Sequence, residues 1–131
     1  MEEQEVTRLL KEHLEKEGWK ILSVNYPRGQ GGLSISNGKK ERIVPDLVAK
    51  KNDIVLITEC KPKFSYQDVE KLNKLFGTPR LLKNLRKKLK LSPSVKLQKA
   101  IGVNSINFTK DDVPSDFVTF LVKETVILKL K

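Results

Sequence analysis

Two carboxylates and a lysine stand at a spacing suited to hydrolytic chemistry: Pro45-Asp46, twelve intervening residues, then Glu59-Cys60-Lys61. Carboxylates are hard oxygen ligands. Mg²⁺ takes one or two of them and fills its other positions with water and substrate phosphate oxygens. A cation held this way lowers the pKa of its bound water and polarises a phosphodiester. A lysine beside it can orient or deprotonate the attacking water, or steady the charge developing on phosphorus. Alone, a Glu-x-Lys on a strand is a commonplace solvated ion pair. Here its strand is too apolar for an exposed edge, a Pro-Asp occupies the matching place upstream, and a purely basic stretch follows.

The elements that must position these residues come next. Ile54, Val55, Leu56, Ile57 and Thr58 lead into Glu59, a nearly continuous apolar run that reads as a central strand over 54–61, ended by Pro62. Residues 42–50 read as the preceding strand. A two-residue turn at Lys51-Asn52 then sets Asp46 opposite Ile57 and Val44 opposite Glu59. Asp46 and Glu59 become diagonal neighbours, roughly 7–8 Å apart and within reach of one ion. Side chains alternate along a strand, so Asp46, Glu59 and Lys61 share a face. A one-residue slip would separate them. Two carboxylates on such a hairpin are costly unless something neutralises them, which a divalent cation does.

Around this hairpin the chain has helical periodicity over 2–17, where Val6, Leu9, Leu10, His13 and Leu14 share a side and Gly18 stops the helix. A strand follows over 19–26, then a glycine-rich loop over 27–32. Asn37-Gly38 signals a hairpin turn between short strands. A helix spans 65–76, with Ser65 as N-cap, Asp68 placed to complete a capping box and Gly77 at its end. Pro79 opens another through Lys90, its leucines on one face and its bases on the other. Strands read over 95–103, 117–122 and 126–130. The sum is one domain over 1–131 of α/β class, with helices packed on a mixed sheet.

Charge names the partner class. The net charge is +10, yet residues 71–110 alone hold eleven basic residues and no acidic one. A solvated lysine-rich surface explains many lysines but not the missing acids. Such sign asymmetry is the electrostatic footprint of a polyanion, and of nucleic acid above all. No apolar run reaches the ~18 residues of a membrane span. The first residues, Met1-Glu2-Glu3-Gln4-Glu5, are acidic and unlike a signal peptide. The single Cys60 excludes an internal disulfide and a cysteine-built zinc site. Together these lead to an expectation of a cytoplasmic protein with no membrane partner.

At this point the residues resemble the PD-(D/E)XK nuclease superfamily, through Pro45-Asp46, Glu59-Cys60-Lys61 and the order helix, three strands, helix, strand over about 2–103. The pattern is most similar to archaeal Holliday junction resolvases and to the N-terminal nuclease domain of type I restriction motor subunits. Both have an acidic helix and a Gly-aromatic step before the first strand, as in Glu15-Lys16-Glu17-Gly18-Trp19. The resemblance implies a restriction endonuclease-like three-layer core (α-β-β-β-α-β) and an endonuclease that hydrolyses DNA. It implies Mg²⁺ or Mn²⁺ on Asp46, Glu59 and the Cys60 carbonyl, with Lys61 acting on the water. Members often add a glutamate from the first helix. Glu3 fits best, since it shares a helical face with Val6 and Leu10, while Glu2 and Glu5 suit the first turn as plain favourable charges. Gln67 matches a glutamine some members carry after the lysine strand, although an exposed helix glutamine needs no such role. The segment 27–37 has no counterpart in either relative, so substrate structure stays open.

Lys83, Arg86, Lys87, Lys88 and Lys90 are the expected phosphate contacts, and Arg28, in the glycine-rich loop, can approach a backbone closely. One small domain offers one active site, so cutting two strands leads to an expected homodimer, alone or within a larger restriction or repair complex. The competing reading is a nuclease-fold module that grips DNA without cutting, or a subunit of a larger nucleic-acid-processing complex. His13, Trp19 and Tyr26 read as structural residues, and the Cys60 side chain as packed core facing away from Glu59.

Overall fold

A computed structural model describes residues 1–26, 33–37, 41–107 and 111–130. The elements are α1 (Glu3–Lys16), β1 (Lys20–Val24), β2 (Ile35–Asn37), β3 (Glu41–Ile43), β4 (Leu47–Lys51), β5 (Ile54–Lys63), α2 (Tyr66–Gly77), α3 (Pro79–Lys88), β6 (Lys96–Ser105), β7 (Phe117–Val122) and β8 (Ile127–Lys129). Six strands form one sheet in the order β1-β4-β5-β6-β7-β8, while β2 and β3 pair separately. Strands β5, β6 and β7 run parallel and the remaining pairs antiparallel. The expected α/β arrangement on a mixed sheet is what forms.

The sheet is covered on both faces, which is why β5 is apolar on both sides. Helix α1 lays Val6, Leu10 and Leu14 on Leu47, Ala49, Leu56 and Cys60. On the other face, α2 and α3 bring Val69, Leu72, Leu75, Leu81 and Leu85 to Val48, Val55 and Ile57, and the β2–β3 hairpin adds Ile35 and Ile43. Each of these valines, leucines and isoleucines contributes about 1.5–3 kcal/mol on burial. Ser65 caps α2, its hydroxyl accepting the Gln67 amide at 3.3 Å. Asp68 completes no capping box; its carboxyl turns inward instead.

Several boundaries differ from expectation. The central hairpin turns at Asn52-Asp53, one residue later than expected, and pairs Lys51 with Ile54 and Leu47 with Thr58. Asn52 takes φ +54°, a conformation asparagine tolerates. The pairing moves by two positions, so every side chain keeps its face. Residues 42–50 are not one strand: Ile43 ends β3, and Leu47 starts β4 in the other sheet. Pro45 has no N–H with which to extend a ladder.

Pro62 does not end β5, which runs to Lys63. The Cys60 amide points at Asp46, so position 62 aims the same way, past the start of β4, where a missing N–H breaks no ladder. Helix α3 stops at Lys88, and Lys90 takes φ +54° while the Leu91 amide bonds back to the Arg86 carbonyl at 3.0 Å. Pairing of Asn37 with Glu41 leaves residues 38–40 between the strands, so the turn expected at Asn37-Gly38 lies outside the described residues.

Candidate metal-dependent active site

The site forms where β5 emerges beyond β4, beside the first turns of α1 and α2. Past Leu47 the main-chain ladder gives way to side-chain bonds. The Asp46 amide donates to Glu59 Oε2 at 3.0 Å, and the Cys60 amide donates to Asp46 Oδ2 at 2.8 Å. Each carboxylate is thus gripped by the opposite segment's backbone.

Residues 44–46, which connect the two sheets, are pinned on every side. The Asn25 amide donates to the Asp46 carbonyl at 2.8 Å, and its side-chain nitrogen donates to the Pro45 carbonyl at 2.9 Å. The Lys71 ammonium donates to the Val44 carbonyl at 3.0 Å and also to Glu59 Oε1.

Burial sets the electrostatics. It pushes Asp46 up to about 6, opposed by the Cys60 amide. It pushes Glu59 up to about 7, helped by the nearby Asp46 charge and opposed by Lys71. Both acids hold protons more firmly than a free carboxylate, because water no longer solvates their charge. A cation relieves that cost. Residues two apart on a strand face alike, so Glu59 and Lys61 share the α2 side with Asp46. A residue's N–H and C=O leave a strand by one edge, so the Cys60 carbonyl also faces Asp46. A buried and a half-buried carboxylate with an adjacent carbonyl are donors a hard divalent cation prefers, so the residues fit such an ion.

Lys61 does not touch the carboxylate pair. Its ammonium lies 3.2 Å from Glu3 Oε1. Burial is the largest single influence and works against the Lys61 charge, yet the Glu3 hydrogen bond together with the charges of Glu3, Asp68 and Asp46 outweighs it and raises the pKa. Of the three N-terminal glutamates, it is therefore Glu3 that the structure brings to Lys61. The Cys60 side chain is fully buried under α1, where burial raises its thiol pKa well above the usual value.

Three residues of this cluster were missed in the sequence. In the sequence Lys71 reads only as one base of the acid-free stretch, and nothing there singles out Asn25. Asp68, read as a capping residue, is 7% exposed; burial raises its pKa, with Lys61 and Lys71 opposing. Asp68 and Lys71 lie three apart beside inward-facing Val69 and Leu72, a helical spacing that marks one side of α2.

The expected phosphate contacts lie elsewhere. Helix α3 packs on β2 and α2. Lys83, Lys87, Lys88 and Lys90 are exposed, but Lys88 donates to the Ser34 carbonyl, and half-buried Arg86 reaches the Ser92 carbonyl at 3.4 Å. Gln67 is exposed at the start of α2. Arg28 lies outside the described residues. Among the described residues no helix is long and apolar enough to cross a membrane.

A family model described as archaeal Holliday junction resolvase (hjc) matches residues 3–85, the span from α1 into α3 that contains every residue of the cluster. No curated protein matches the chain.

Proposed function

Given that this chain belongs to the archaeal Holliday junction resolvase family, and so to the PD-(D/E)XK nucleases, we propose that it cuts four-way DNA junctions by metal-assisted hydrolysis of phosphodiester bonds. Asp46, Glu59 and the Cys60 carbonyl would hold Mg²⁺ or Mn²⁺. Such an ion supplies an acidified water and a Lewis acid for the phosphoryl oxygen. The residues of the chain do the rest.

The paired bonds, from the Asp46 amide to the Glu59 carboxylate and from the Cys60 amide to the Asp46 carboxylate, hold both carboxylates in place without an ion. Glu3 favours the charged form of Lys61, which would serve as a hydrogen-bond donor that orients water and steadies phosphorane charge. The exposed bases of α3, with its leucines packed inward, supply phosphate contacts away from the chemistry. Resolving a junction takes two cuts, which a homodimer provides with one site in each copy.

One observation carries this reading: buried Glu59 accepts the Asp46 amide and half-buried Asp46 accepts the Cys60 amide, at the point where the family's motif falls. The test incubates the protein with a four-way junction and with a linear duplex of the same sequence, in Mg²⁺ and in EDTA. Cutting of the junction in Mg²⁺ alone is expected. Cutting that survives EDTA overturns the metal assignment, and equal cutting of both DNAs overturns the substrate.

A further inference from the structure

Both oxygens of Glu59 are already engaged: Oε2 by the Asp46 amide at 3.0 Å, and Oε1 by the Lys71 ammonium. The Glu59 side chain is 2% exposed and that of Lys71 is 32% exposed. The carboxylate is therefore fixed, while the lysine enters from the solvent side on a long flexible stem. Lys71 also donates to the Val44 carbonyl, so it bridges β5 to the segment that carries Asp46. Its two partners both belong to the cluster, and neither lies on its own helix. A divalent cation approaching Glu59 through Oε1 meets a positive charge already seated there. Two cations cannot share that oxygen without mutual repulsion.

We propose that Lys71 is a resident counter-ion. It is a positioning residue that neutralises Glu59 and braces residues 44–46 until a divalent cation takes Oε1, and it thereby sets the cation concentration at which the site loads. This rests on the assignment of Asp46 and Glu59 as the cation ligands. Lys61 does not play the same part, because its ammonium pairs with Glu3 and not with Glu59. The consequence is counterintuitive for a lysine in an active site: removing its charge strengthens metal binding.

The experiment titrates the full chain with Mn²⁺ by calorimetry, without DNA, and compares Lys71→Gln, Lys71→Arg and Asp46→Ala. Lys71→Gln keeps a donor but removes the charge. It is expected to bind Mn²⁺ at least about fivefold more tightly, the scale of one contact between charges even when screened as in bulk water. Its metal-free melting temperature falls, and Mn²⁺ raises it by more than in the unaltered protein. Lys71→Arg keeps the charge, so its affinity is unchanged or weaker. Unchanged or weaker Mn²⁺ binding by Lys71→Gln overturns the proposal. Should that variant fail to fold, tighter binding by Lys71→Arg overturns it equally. Asp46→Ala reports on the underlying assignment: if it binds Mn²⁺ as the unaltered protein does, the ligands are wrong and the counter-ion role falls with them.

Discussion

Glu59 Oε2 accepts the backbone N–H of Asp46 at 3.0 Å, although thirteen positions separate the two residues in sequence. The bond brings a second carboxylate against the first in a buried setting, and stability should report it. In the folded protein Asp46 titrates at about 6 and Glu59 at about 7, against ordinary values of 3.8 and 4.5. Between roughly pH 4 and 7 the folded state therefore binds more protons than the unfolded state. Stability must fall as pH rises through that window. In EDTA, the melting temperature at pH 5 should exceed that at pH 8 by on the order of 5 °C. Asp46→Asn and Glu59→Gln should each flatten the dependence. A melting temperature that climbs from pH 5 to pH 8, with the variants following it, would contradict the pairing.

Lys61 and Glu3 form a 3.2 Å ion pair with side chains 38% and 28% exposed. Such a pair contributes little to stability. Lys61→Met should therefore melt within a few degrees of the unaltered protein, yet lose about 10²–10³-fold in cleavage rate as a charge-stabilising donor disappears. Glu3→Gln should lose less, because Lys61 remains. Single-turnover rates beside melting curves separate the two effects.

Gly102 pairs with Cys60 on the face under α1, and a Cβ there would meet Leu10 Cδ2 at 2.7 Å. Leu10 is fully buried in the core under α1, so its methyl must shift against packed neighbours. Gly102→Ala should cost about 1–3 kcal/mol by overpacking. Because Glu3 rides on the same helix, activity should fall beyond what lost stability explains. Denaturant unfolding and cleavage at a temperature where both proteins are folded test this.

Lys83 and Lys87 are exposed on α3. Replacing both by glutamate should weaken DNA binding and lower the dependence of affinity on salt by about two phosphate contacts, roughly −0.9 in slope per contact. Melting should barely change. An unaltered salt slope would move the phosphate track to another surface.

The face on which the chemistry sits was legible because strand parity survives a two-residue change in pairing. The turn at Asn52-Asp53 set Asp46 nearer to Glu59 than expected without turning either away. The break at 44–46 was less legible: Ile43, Val44, Leu47 and Val48 look like one strand, and tertiary partners, Asn25 and Lys71 among them, hold the bend. Pro62 misled because a proline disrupts only the ladder its nitrogen faces. Lys71 was hidden because a lysine on an amphipathic helix ordinarily faces water. Its partners, Glu59 and Val44, are distant in sequence, and no local rule links them.

The central claim is that Asp46 and Glu59 form the reacting centre. Its most direct measurement is the single-turnover rate of junction cleavage in Mg²⁺ by Asp46→Asn, taken at protein concentrations where junction binding is independently saturated. The account predicts unimpaired binding and a rate lower by about 10³-fold or more. Binding intact and a rate within tenfold of the unaltered protein would contradict it.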